Sequence, residues 1–243
     1  MRLLLGLVLT LPCWGLVSVV QSKQCSSAAG PTITCVMTSN VVSGNMYVLL
    51  LQHGGGNNCS GGAAGVFANT RTSTFTIRSA GQNVSGGQSI SCIFTTTLGS
   101  SGADTITFTK ADSNFPAAMW VFEITVGVGS VTFTASNGVN DFGNPTVTGN
   151  MVITDNDGLL VCGPATNTST NPWTSATPVG ATTSFLVTDG YASASLYKNV
   201  AAGTHTCGFS KTTVDARNSI AGLIVSYVGS PANVSRHRSV VMQ

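Results

Sequence analysis

Charge is what this chain has least of. Lys plus Arg number 10 and Asp plus Glu number 8, which is 7% of 243 residues, against roughly 25% in an ordinary soluble domain. A helical bundle or coiled coil needs many Glu, Lys and Arg, so that class is excluded. A formal net charge of +2 offers no basic stripe for nucleic acid. Charge-driven disorder needs high net charge with low hydrophobicity, and the mean hydropathy here is +0.30. Catalytic raw material is also thin. Glu123 is the sole glutamate, and histidine occurs only at 53, 205 and 237. Cysteines form no C-x-x-C pair, and no G-x-S-x-G nucleophile elbow occurs.

What is abundant is Ser and Thr, about a quarter of the chain, together with 28 Gly. The first 22 residues read as an export signal. Arg2 carries the positive charge, an apolar run from Leu3 resumes through Val20, and Val20 and Ser22 satisfy the small-residue rule for a cut after Ser22. Nothing later is apolar enough to span a bilayer. The polar tail 230–243 lacks the hydrophobic end of a lipid-anchor signal. Cys13 leaves with such a signal, and Cys25, Cys35, Cys59, Cys92, Cys162 and Cys207 remain. An even number in an exported chain points to disulfides, for which 15 pairings exist. The expected set is Cys25–Cys35 near the N-terminus, with Cys59–Cys92 and Cys162–Cys207 as staples within each half. No His lies at zinc-ligand spacing from these cysteines. Four N-x-S/T sequons, at Asn58, Asn83, Asn167 and Asn233, are candidate glycosylation sites on surface loops.

Strand patterns fill the remainder. Thr105 to Thr109 alternates strictly, placing Ile106 and Phe108 on one face and the threonines on the other. Met46–Leu51, Ala117–Ile124 and Ala221–Val228 are apolar almost throughout, as central strands covered on both faces are. Val152 to Val161 reads as a hairpin turning near Asn156 to Gly158. No convincing 3.6-residue period persists. About fourteen strands are expected, in an all-β, antiparallel β-sandwich of jelly-roll or immunoglobulin-like type.

Three motif pairs suggest an internal repeat. Val42 to Met46 resembles Val147 to Met151. Gly102 to Lys110 resembles Gly203 to Lys211, and Ala117 to Gly127 resembles Ile220 to Gly229. The expected organisation is a signal at 1–22, β-sandwich halves at 23–128 and 129–229, and a tail at 230–243. These elements are a Gly-Asn start to an apolar strand, a Phe-Thr strand, the segment Ala194 to Thr206, and a closing Val225 to Gly229. In that order they resemble the β-sandwich modules of exported bacterial and phage-encoded surface proteins. The resemblance implies a surface or adhesion role and supplies no catalytic residue. The six cysteines and the sequons depart from that pattern and suggest a different, oxidising export route.

Candidate chemistry is sparse. His53-Gly54-Gly55-Gly56 after a strand is the string esterases use for an oxyanion hole, but without a nucleophile elbow it reads as a glycine-rich loop. Glu123, inside an apolar strand, is expected to be paired rather than to act as an acid. Asp155-Asn156-Asp157-Gly158 starts like a calcium loop but lacks its closing acid, so a plain turn is expected. Trp173, in Asn171-Pro172-Trp173-Thr174, is the candidate ligand-binding ring, able to stack on a sugar face. The alternative for Trp173 is to cover the core. The expectation is a secreted or surface-associated, non-enzymatic protein without cofactor or metal. It would bind a glycan or an extracellular protein. Self-association into a coat, envelope or matrix subunit is the alternative, because little charge keeps copies apart.

Overall fold

The computed structural model describes residues 17–28, 30–54, 59, 65–71, 74–83, 89–110, 116–127, 129–141, 145–155, 157–166, 172–188, 191–211 and 217–229. Among them are eighteen strands and no helix. The first eight are β1 (Ser18–Ser27), β2 (Thr32–Val36), β3 (Met46–Gly54), β4 (Gly65–Asn69), β5 (Thr76–Asn83), β6 (Ser89–Thr97), β7 (Thr105–Lys110) and β8 (Ala117–Thr125). Then come β9 (Gly129–Asp141), β10 (Thr146–Val147), β11 (Met151–Ile153), β12 (Gly158–Thr166) and β13 (Trp173–Thr177). The last are β14 (Thr182–Thr188), β15 (Tyr191–Val200), β16 (Gly203–His205), β17 (Gly208–Lys211) and β18 (Arg217–Gly229). The expected count was lower because β10, β11 and β16 hold only two or three residues each, too few to show a period.

The strands form layers. Two five-stranded antiparallel sheets, β1-β8-β3-β6-β5 and β14-β15-β12-β18-β9, lie face to face in the middle. The sheet β2-β7-β4 covers the outer face of the first, and β10-β17-β13 with the pair β11-β16 covers the second. This explains the unbroken apolar runs. Alternate residues of β3 serve two different cores: Met46, Val48 and Leu50 face the central interface, while Tyr47, Leu49 and Leu51 face the outer sheet. β8 divides in the same way, with Trp120, Phe122 and Ile124 facing inward. The outer strands need only one buried face, and β7 accordingly buries Ile106 and Phe108 while its threonines face outward.

With β11 and β16 set aside, each half pairs its first strand with its last, then its third, sixth and fifth, and covers them with second, seventh and fourth. Apart from the fifth strand, which joins the larger sheet, this is jelly-roll order; an immunoglobulin order would put strands A, B, E and D in one sheet. Two of the three sequence motif pairs occupy matching places in that order, β7 with β17 and β8 with β18. The third does not: Met46 opens the central β3, whereas Met151 opens the small outer β11. The correspondence is one of strand order, and it does not confirm the sequence repeat. The expected hairpin at Val152 to Val161 is also corrected. β11 pairs with β16 while β12 pairs with β15 and β18, so the turn sends its two arms into different layers.

Three disulfides form, with Cα–Cα separations of 5.6 Å for Cys25–Cys35, 6.0 Å for Cys59–Cys92 and 6.6 Å for Cys162–Cys207. They are the expected pairs. Cys25–Cys35 and Cys162–Cys207 each tie a central strand to its covering layer, and none joins the two halves. The halves are held instead by apolar packing and by hydrogen bonds between them, among which three side chains of the first half reach backbone carbonyls of the second. Ser79 Oγ donates to Ser136 O at 2.8 Å, Ser91 Oγ to Gly163 O at 2.7 Å and Gln52 Nε2 to Ala194 O at 2.7 Å. At this end the sheets approach so closely that glycine is required twice. A Cβ on Gly81 would strike the Ile220 backbone, and one on Gly163 would come within 2.6 Å of Leu50 Cδ2.

Candidate functional site

The central interface changes character along its length. One end is apolar, built on Val48, Phe122, Val161 and Val225. The other carries the Gln52, Ser79 and Ser91 hydrogen bonds and opens into a small, half-open cleft with about 10 Å³ of accessible space, room for about one water molecule. Its wall takes Gln52 and His53 from the end of β3, Thr166 from the end of β12, and Tyr191 and Ser193 from the start of β15; Pro116 and small alanine side chains complete it. Both halves therefore contribute, because β3 and β12 face each other and end on the same side.

The chemistry of this cleft is neutral. No Asp, Glu, Lys or Arg lines it among the described residues. Gln52 Nε2 is committed to Ala194 O, while its Oε1 is buried and meets no protein donor among the described residues. Tyr191 is half-buried, and loss of water raises its phenol above its ordinary pKa. At neutral pH its hydroxyl therefore stays a donor. Thr166 Oγ1 accepts from Ala192 N at 3.4 Å. A polar, uncharged set of this kind suits a ligand rich in hydroxyl or amide groups. Sequence reasoning singled out only His53 here, and as part of a loop. The signal available for Gln52 was a polar residue ending the apolar run Met46 to Leu51.

The other expected residues lie elsewhere. Trp173 opens β13 and is 3% exposed. Its Nε1 donates to Ala192 O at 3.2 Å, its ring meets Phe209 edge-on at 6.1 Å, and Lys211 Nζ sits 4.7 Å from the ring centroid. Neither face is offered to a sugar. The expectation of a ligand-binding Trp173 is thus corrected, because β17 supplies the core partner that a loop position would lack. His53, next to last in β3, is 5% exposed and paired with Ile90 and Ala117; Gly55 and Gly56 lie outside the described residues. So do the sequon residues Asn58, Asn167 and Asn233, while Asn83 is the last residue of β5.

The acids are structural fasteners. Glu123 is fully buried, yet its carboxylate accepts from Gln21 Nε2 at 2.6 Å, Asn45 Nδ2 at 2.6 Å and Val42 N at 2.9 Å. It joins β1 and the segment before β3 to β8. Asp104 accepts from Tyr47 Oη at 2.9 Å, Thr70 N at 3.0 Å and Thr105 N at 2.9 Å. Burial and this carboxylate push the Tyr47 phenol far above its ordinary pKa. Asp155 Oδ2 accepts from Ser226 Oγ at 2.7 Å, and Asp157 Oδ2 from Val17 N at 2.8 Å. Both turn acids thus serve hydrogen bonds to neighbouring strands. Glu123→Ala is expected to lower stability by about 2–3 kcal/mol, since it strands three donors from two segments. A urea titration followed by circular dichroism measures this, and an unchanged midpoint would refute the fastening role.

No protein-family model and no curated protein matches the chain. Among solved structures, oxalate decarboxylase from Bacillus subtilis at pH 4.6 aligns at 7% identity with a TM-score of 0.16, over 87% of this chain and 75% of that one. Similarity that low supports no statement about fold or activity.

Proposed function

We propose that this protein works outside the cell as a non-enzymatic binding module and that the cleft between its halves takes a neutral, hydroxyl-rich ligand of the glycan class. The observation that carries the reading is the buried Gln52 Oε1 lining an uncharged cleft beside Tyr191, Thr166 and Ser193. A buried acceptor without a donor costs free energy that a ligand hydroxyl would recover. Three disulfides support an extracellular setting, since such bonds persist under oxidising conditions.

A glycan array probed with the exported protein tests this. Binding is expected, and Tyr191→Phe, which keeps the ring and removes only the hydroxyl, should weaken it about tenfold (about 1.4 kcal/mol). The melting midpoint of that variant, measured alongside, separates a lost ligand contact from lost stability. Silence across the array would reject the glycan reading. If the protein instead forms regular particles as its concentration rises, seen by electron microscopy, the coat-subunit reading replaces it.

A further inference from the structure

Residues 17–22 form part of the folded body. Ser18 and Val19 pair with Thr125 and Ile124 of β8, and Gln21 and Ser22 with Glu123 and Phe122. Val17 has no exposed surface and packs, with Val19, into the core between the two large sheets. Its amide donates to Asp157 at 2.8 Å and its carbonyl accepts from Asn199 Nδ2 at 2.8 Å, so this one residue is held by the turn before β12 and by β15. Gln21 donates to the buried Glu123, and its Oε1 accepts from Ser39 N at 3.0 Å. A leader cut after Ser22 would remove all of this. It would leave the end of β8 as an unpaired sheet edge, and it would take one donor from Glu123.

We infer that the leader is cut after Gly15 and that the exported chain begins at Leu16. The small-residue rule at positions −3 and −1 is met upstream of Val17 by Cys13 and Gly15. The apolar stretch Leu3 to Leu11 then has the length of a signal-peptide core, and Pro12 marks its end. In the cut, water adds across the Gly15–Leu16 amide, leaving a carboxylate on Gly15 and an amine on Leu16. That amine lies one residue before the amide held by Asp157. The continuous apolar run of the leader and β1 is thereby explained as two elements: a leader ending at Gly15, and a segment whose Val17 and Val19 serve the core. The inference rests on the export part of the proposed function and is independent of the ligand.

Expression of the full chain with its own leader in a secreting host, followed by N-terminal sequencing and intact mass of the product, tests it. The expected first residue is Leu16. A product starting at Lys23, seven residues shorter, would overturn the inference, as would one retaining Met1. Two variants sharpen the result. Ser22→Leu changes an exposed position and blocks a cut after Ser22, so it should leave the Leu16 start unchanged. Gly15→Leu, within the leader, should abolish that start; a Leu16 product from it would count against the inference.

Discussion

Replacing Cys162 and Cys207 together by alanine is expected to lower stability by about 4 kcal/mol. The bond closes a separation of 45 residues, the longest of the three. Chain entropy released to the unfolded state grows with that length, whereas the separation of 10 for Cys25–Cys35 predicts a loss of about 3 kcal/mol. Alanine is chosen because both positions are fully buried, and a serine hydroxyl would add its own desolvation cost. Small and medium domains have about 5–15 kcal/mol to lose, so either change removes a large share. Urea unfolding of the two double variants measures both values. Equal midpoints, or a smaller loss for Cys162/Cys207 than for Cys25/Cys35, would show that loop length does not govern the effect.

Trp173→Ala should cost about 3–5 kcal/mol, the range for emptying a buried aromatic site. The ring fills space against Phe209, its Nε1 hydrogen bond to Ala192 is lost, and the Lys211 ammonium loses the face it sits over. Loss of ligand binding in this variant would therefore report lost structure, whereas Tyr191→Phe reports the cleft. Differential scanning calorimetry distinguishes the two. A Trp173→Ala protein that melts with the unaltered chain would place this ring outside the core.

How much of this was legible beforehand can be followed residue by residue. The fates of Ile106 and Phe108 were readable because a strand with one buried face must alternate. The double burial of β3 and β8 was readable because unbroken apolar runs have no exposed face to spare. That six cysteines would form disulfides was readable, and their pairing was an expectation among 15 possibilities. Trp173 stood open between a ligand-binding ring and cover for the core, because a Pro-Trp string after a polar stretch looks like a loop and nothing local announces that Phe209 and Lys211 lie opposite. The split of β11 from β12 was invisible for a related reason. A turn's composition records that the chain bends, and not which sheet each arm joins. Gln52 and Tyr191 are separated by well over a hundred positions, and no local pattern could have joined them in one cleft.

Local periodicity and composition determined what each segment could be: an extended strand with one buried face or two, joined by turns, held by cystines and nearly free of charge. Such properties depend on neighbours within a few residues. Only the tertiary structure decided that jelly-roll halves would meet through their larger sheets, that Val17 and Val19 would complete the central core, and that an uncharged cleft would open where the apolar contact gives way to hydrogen bonds. Those outcomes depend on which distant strands pair, and pairing is chosen by the burial of whole faces at once.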